Sequence, residues 1–491
     1  MSFIAPEVNR KQAAITAELC HDRGIIVPTF AQQRDPSLIP ADIRERLKGI
    51  GLWDLHPLNL FRITWKNDLA TGGFGEVNCI EIPPSLSGVR ARIIGLVGKF
   101  FPTGAHKVGA TFGCLVPRLV TGGFDPVGQK AVWPSTGNYC RGGAFDAALL
   151  GCESVAILPE EMSQERFEWL KGIGSEVIAT PGCESNVKEI YDKCHELQSQ
   201  RGDQVVVLNQ FDEFGNGMWH YDVTGAAILE VFADAAGSAD RLAGFVSSTG
   251  SAGTIAAGDR LKEEHPEARV IAGEALQCPT LLMNGFGGHR IEGIGDKHVP
   301  WIHNVRNTDV VVAVDDADAM ALMRLFNEDA GREFLRGRGV PSNLVDKLDL
   351  LGISGMGNLA AAIKAAQWFE LNENDILFTV FTDSMELYGS RLEAARREMG
   401  PYTPTNAEVD FNVHLRGLKT DSMLELDHWS RRRIHNLKYY TWVEQQGKDV
   451  EELNEQWYGF RSYWPARWRM SDTYDRLIDS FNAMSGASGV Q

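Results

Sequence analysis

Short apolar, β-branched runs recur through the middle of this chain, each apolar on both of its faces. They are Arg92–Val97, Lys130–Trp133, Ser154–Leu158, Glu176–Ala179, Gln204–Leu208, Leu242–Ser247, Arg269–Gly273, Val310–Val314 and Ile376–Phe381. A strand needs that pattern when helices cover both sides of a parallel sheet. Helical patterns alternate with these runs: Arg141–Leu150, Gln164–Gly172, Asn186–Ser199, Val223–Phe232, Ala317–Asn327 and Asn358–Leu371. The alternation predicts an α/β architecture with a parallel core. Many of the 50 glycines sit where a strand ends and a helix begins. No internal repeat or low-complexity tract interrupts the rhythm.

Both ends lack it. Residues 1–60 read as a helical, then proline-containing N-terminal extension. Beyond residue 398 the chain becomes helical and aromatic, with Trp429, Trp442, Trp457, Trp464 and Trp468. The expected division is therefore 1–60, a smaller α/β unit at 61–225, a larger one at 226–398, and a C-terminal extension at 399–491.

Composition narrows the partners. Across 491 residues, 65 acidic side chains stand against 48 basic ones, a formal charge of −17. Such a balance argues against binding a nucleic-acid backbone or an anionic membrane. The local stretch His428–Arg433 mixes aromatics and arginines, but reads more simply as a helix packing its aromatics on the body or on a partner subunit. No apolar run approaches the roughly 20 residues that span a bilayer. The first residues lack a secretory pattern, and none of the eight cysteines has Cys-x-x-Cys spacing. These features predict a reduced, cytoplasmic protein without a disulfide framework or a metal site.

Three motifs invite chemistry without carrying it. Gly72-Gly73-Phe74-Gly75-Glu76-Val77 resembles a kinase phosphate loop, yet no His-Arg-Asp or Asp-Phe-Gly motif follows, so a turn before a Cys79–Ile82 strand is the better reading. Asp315-Asp316-Ala317-Asp318 lies between a strand and a helix, where capping explains it. His289, His298 and His303 lack the helical spacing of metal ligands.

A second set belongs together. Lys107, in Gly104-Ala105-His106-Lys107, opens a helix, where the helix dipole disfavours its protonated form and suits a nucleophile. Ser135-Thr136-Gly137-Asn138 follows a strand and offers N–H groups, hydroxyls and an amide to a carboxylate and a ring substituent. Gly250-Ser251-Ala252-Gly253-Thr254 links a strand to a helix, with residues small enough to wrap a phosphate. Thr382-Asp383-Ser384 ends the last core strand, the side of an α/β sheet where ligands collect. A lysine, a carboxylate loop, a phosphate cup and a polar strand end make up a pyridoxal-phosphate site.

In these motifs and their order, across residues 90–395, the chain resembles the cysteine synthase and cystathionine β-synthase family of fold type II pyridoxal-phosphate enzymes. The resemblance implies two parallel-sheet α/β domains with pyridoxal 5′-phosphate in the cleft between them. It makes Lys107 the Schiff-base lysine and Asn138 the partner of the cofactor's ring oxygen. Gly250, Ser251, Ala252, Gly253 and Thr254 become the phosphate loop, and Ser384 the neutral partner of the ring nitrogen. Ser135, Thr136, Gly137, Tyr139 and Gln210 become substrate contacts, and Gly352-Ile353-Ser354-Gly355 resembles a turn beside the cofactor. Val108-Gly109 stands where the family has Asp-Arg. Tyr139 replaces a threonine, Ser251 and Ala252 replace a threonine and a glycine, and Gly-Ala-His-Lys is similar to the tryptophan synthase β subunit.

A neutral ring-nitrogen partner limits the electron sink, so expulsion of a β leaving group from an amino acid to give an aminoacrylate is the implied reaction. Addition of a nucleophile then gives β-replacement, and hydrolysis gives β-elimination. A threonine dehydratase-like or threonine synthase-like enzyme and a catalytically silent cofactor-binding homologue remain alternatives. The family resemblance favours a homodimer.

Overall fold

A computed structural model of the chain describes residues 6–135, 137–162, 164–182, 187–295 and 297–484. In chain order the strands are β1 (Asn67–Asp68), β2 (Gly73–Phe74), β3 (Cys79–Ile82), β4 (Arg92–Val97), β5 (Lys130–Pro134), β6 (Glu153–Pro159) and β7 (Glu176–Thr180). They continue with β8 (Val205–Val207), β9 (Arg241–Ser248), β10 (Arg269–Ala275), β11 (Val310–Val314), β12 (Asp375–Phe381) and β13 (Met423–Glu425). All nine apolar runs form strands, with ends that differ by at most two residues.

The larger sheet has the order β13-β11-β10-β9-β12-β4-β3. Its inner pairs are parallel, while β3 and β13 pair antiparallel at the edges. The smaller sheet, β7-β6-β5-β8, is parallel throughout. Every residue of β11 and β12 is buried, as expected of strands covered on both faces. β1 and β2 form a separate antiparallel hairpin at the glycine-rich Gly72–Gly75 stretch, before β3. Asp315 accepts from the backbone N–H of Ala317 (2.9 Å), capping the helix Asp316–Asn327.

Three boundaries differ from the sequence reading. β3 and β4 fall within the stretch 61–225 assigned to the smaller unit, yet they extend the larger sheet, because β4 pairs along its whole length with β12. The C-terminal extension is not wholly helical: β13 pairs with Val310–Val312 and covers an edge that would otherwise expose unpaired backbone groups. The helix expected from Asn358 begins at Ile353. Its first turns, Gly-rich and turn-like in sequence, stay helical because small residues there press onto the strand end; a Cβ on Gly355 would lie 3.2 Å from the Phe381 ring.

The aromatic residues of the extension pack mainly on the body. Trp442, Trp457, Trp464 and Trp468 are buried, whereas Trp429 is 75% exposed. No helix among the described residues is long and apolar enough to cross a membrane.

Candidate active site

Because β4 and β12 are parallel neighbours, the segments that follow them leave the sheet side by side. A Cβ on Gly98 would lie 2.1 Å from the Thr382 carbonyl oxygen, so only glycine permits that approach. The His106 N–H donates to the same carbonyl (3.2 Å), and the next residue, Lys107, opens the helix Lys107–Thr121. Lys107 Nζ donates to Ser251 Oγ at 3.1 Å.

Ser251 belongs to the loop between β9 and a turn, Thr254–Ala256, that runs into the helix Ala257–Glu264. The loop is pinned from several sides. Thr249 N–H donates to the Gly273 carbonyl (2.8 Å) and Ser248 N–H to Asn358 Oδ1 (2.8 Å). Asn358 in turn donates from Nδ2 to the Val380 carbonyl on β12 (2.7 Å). Asn216 Nδ2 donates to Ser251 Oγ (3.0 Å) and to the Gln210 carbonyl (2.9 Å). Ala252 has φ +59°, the left-handed region in which glycine is at ease.

Two cavities meet at Lys107. Residues 250–254 line the first, together with Ser354, Asn358 and Thr382. Ser135, Asn138, Tyr139, Gln210 and Phe211 line the second. Lys107, Gly250, Ser251, Gly293, Ile294 and Thr382 belong to both. Among the described residues lining them, Lys107 is the one charged side chain.

The sequence candidates are distributed unevenly over these walls. Ser135 Oγ accepts from Gln210 Nε2 (3.0 Å) and from the Gly137 N–H (3.3 Å), so the three form one loop structure. Gly137 has φ +150°, and a Cβ there would lie 2.3 Å from Arg166 Nη1. Tyr139 is buried with its ring edge-on to Trp133 at 5.5 Å. Thr136 lies outside the described residues. Ser384 is buried but lines neither cavity. At the end of β12, Val380 and, just beyond the strand, Thr382 line the first cavity, whereas the following Asp383 bonds Asn138 and Tyr388. Ser354, in the first turn of the helix that begins at Ile353, lines the first cavity.

Several participants escaped the sequence reading. Asn216 and Asn358 are single asparagines within helical stretches, with no motif to mark them. Arg166, Glu292 and Tyr388 belong to no sequence motif, and all three are buried together with Asp383. Burial pushes the Asp383 carboxyl upward, while hydrogen bonds from Tyr388 and Asn138 and the charges of Arg166 and Arg141 pull it down. Burial foremost, then the neighbouring charge of Lys107, lowers His106; burial and then His106 lower His220, so both rings stay neutral at ordinary pH.

Comparison with known proteins decides the class. A family profile described as "Pyridoxal-phosphate dependent enzyme" matches residues 99–333. Cysteine synthase of Staphylococcus aureus (strain Mu50 / ATCC 700699) is 30% identical over 262 residues, 53% of this chain and 76% of that protein. The chain belongs to the pyridoxal-phosphate-dependent enzyme family. Within that family, cystathionine beta-synthase of Saccharomyces cerevisiae is 25% identical over 313 residues, 62% of this chain and 58% of its own. The fold is shared with cysteine synthase of Entamoeba histolytica, at a TM-score of 0.56 and 21% identity, covering 69% of this chain and 92% of that one.

The cavity walls fit the family's cofactor. The first cavity offers a small-residue loop at a helix start, hydroxyls and one lysine, and no carboxylate among the described residues, which is the donor set a phosphate requires. In the second, Asn138 Nδ2 donates one of its two hydrogens to Asp383 Oδ2, and the other is the donor its amide can offer to a polar group inside the cavity.

Proposed function

We propose that this chain is a pyridoxal-phosphate enzyme acting at the β carbon of an amino acid, by elimination or by replacement with a nucleophile. The observation that carries this reading is the placement of Lys107 Nζ, bonded to the cup residue Ser251 at the junction of the two cavities. Bound pyridoxal phosphate supplies a carbonyl for the lysine and an electron sink for charge developing on the substrate's α carbon. Residues 250–254 would hold its phosphate, and Ser354 and Thr382 line the same cavity. Lys107, whose amine stands at the junction of the two cavities, would be the base that takes the α proton. The Ser135–Gln210 pair and the backbone of the 135–138 loop hold the substrate carboxylate and orient the α C–H bond. Tyr139 and Phe211 exclude water around the β substituent.

The relatives' names support this reading, as both cysteine synthase and cystathionine beta-synthase are named as amino-acid synthases. The reading includes a homodimer in the cytoplasm. Exposed Trp429, Tyr440 and Tyr458 on the C-terminal extension support self-association, and the free thiols among the described residues support a reducing compartment.

Purified protein incubated with a panel of amino acids, with and without a thiol, tests the function by product analysis. A new amino acid marks replacement; a keto acid with ammonia marks elimination, and the amino acid consumed separates the threonine-directed enzymes. Lys107→Ala is expected to abolish turnover on every substrate. Full turnover by that variant would overturn the covalent role of Lys107.

A further inference from the structure

Four buried polar side chains link the cavity wall to an ion pair outside the site. Arg166, on the helix Gln164–Gly172, donates from Nη2 to Tyr388 Oη at 3.1 Å. A guanidinium has no acceptor, so the phenol oxygen must accept there, and its single hydrogen is left for Asp383 Oδ2 at 2.7 Å. Asp383 Oδ2 is thereby an acceptor, and Asn138 Nδ2 is its second donor at 2.6 Å. The direction of every bond follows from the donor-only group at the far end. It survives protonation of Asp383, because that proton can sit on Oδ1.

The anchor is held firmly. Arg166 pairs with Glu292 Oε2 (3.1 Å), and Glu292 also receives the Arg391 guanidinium. Arg166 and Glu292 are 1% and 6% exposed at their side chains, so the pair is shielded from solvent and salt. Glu292 immediately precedes Gly293 and Ile294, which wall both cavities. The Arg166 guanidinium also fills the space beside Gly137, in the carboxylate loop itself. The network therefore touches the site at two points.

We propose that Arg166 and Tyr388 are positioning residues that act through Asp383 to fix the Asn138 amide, so that its second Nδ2 hydrogen is offered to the ring oxygen of the bound cofactor. The proposal rests on the cofactor reading given above and adds the device that sets the amide's orientation. Without the Tyr388 hydroxyl, Asp383 loses one of its two donors and Asn138 can present its oxygen to the cavity instead.

The test uses Tyr388→Phe and Arg166→Lys, each loaded with pyridoxal phosphate. The absorption bands of the bound cofactor report whether its ring oxygen is a hydrogen-bonded phenolate or a neutral phenol. In Tyr388→Phe the phenolate share is expected to fall at least twofold at constant pH, with cofactor affinity weakened roughly three- to tenfold, the scale of one lost hydrogen bond. Arg166→Lys keeps the charge but not the planar fork, and a smaller shift in the same direction is expected. An unchanged band ratio in cofactor-loaded Tyr388→Phe overturns the proposal, even if its melting temperature falls, because a purely structural role moves stability and not the spectrum. Should Tyr388→Phe fail to fold, Arg166→Lys decides by the same criterion. Wild-type protein that shows neither band would sink the cofactor reading itself, which separates the two failures.

Discussion

A methyl group on Gly253 would lie 1.9 Å from Asn216 Oδ1, and Asn216 cannot move aside without releasing Ser251 and the Gln210 carbonyl. Gly253→Ala should therefore cost about 1–3 kcal/mol, the usual penalty for overpacking a filled site. The loss should be visible as a lowered denaturant midpoint and as weaker retention of pyridoxal phosphate. At this scale the sequence was informative where chemistry demands a residue type in a fixed local setting. Lys107 at a helix start and the small residues of the cup are such cases. It was uninformative where a side chain acts across the fold. Nothing local distinguishes Arg166 from an ordinary helix arginine, and the Asp-Ser pair at 383–384 drew attention to Ser384, which lines neither cavity, while Ser354 lines the first.

The helix that carries Lys107 owes its position to two glycines one turn apart. A Cβ on Gly109 would meet the Trp219 ring at 2.2 Å, and one on Gly113 would meet the Gly215 carbonyl at 2.3 Å. The helices Lys107–Thr121 and Phe214–Trp219 therefore cross with their backbones nearly touching. The second of them carries Asn216, so the crossing sets the distance between Lys107 and the cup. Gly113→Ala should force the pair apart, lower stability by about 1–3 kcal/mol in thermal unfolding, and slow turnover by lengthening the Lys107–Ser251 contact. Strands were legible from their apolar runs because burial on both faces leaves a continuous signature. The glycines in this helix carry no such signature, since their reason lies on another element.

Over the whole molecule the two extensions, whose role the sequence leaves open, pack together. Asn482 exchanges hydrogen bonds with the backbone of Val27 (3.1 and 2.8 Å), and the Asp475 carboxylate caps Phe30–Arg34 by accepting from Phe30 and Ala31 (2.7 and 3.0 Å). On the other side, buried Lys438 donates to the carbonyls of Trp301 and His303 and to Gln456, and Trp442 Nε1 donates to the Val299 carbonyl. The C-terminal extension thus grips the chain just beyond the cavity-wall residues Gly293–Gly295. In this region burial lowers His298 from the ordinary 6.5 to about 3. Unfolding lets that ring take up a proton below pH 6.5, so its contribution to stability is complete above 6.5 and lost as pH falls toward 3. His298→Gln should lose about 2 kcal/mol less stability than wild type between pH 7.5 and 5, measured as denaturant midpoints. Glu274, raised to about 7 by burial, titrates with the opposite sign, so the comparison with the variant is what isolates the histidine.

The sequence by itself determined the α/β rhythm, the order of the motifs and the lysine, because those follow from local periodicity and from chemistry carried within a few consecutive residues. Only the tertiary structure decided which strands share a sheet, with β3 and β4 joining the larger one. It alone put Ser354 on the wall and tied Arg166 to Asn138 through Tyr388 and Asp383. These depend on contacts between residues far apart along the chain, such as Asn138 with Asp383, 245 positions away. Hydrogen-bond polarity and close packing act through space, and a linear pattern carries no record of them.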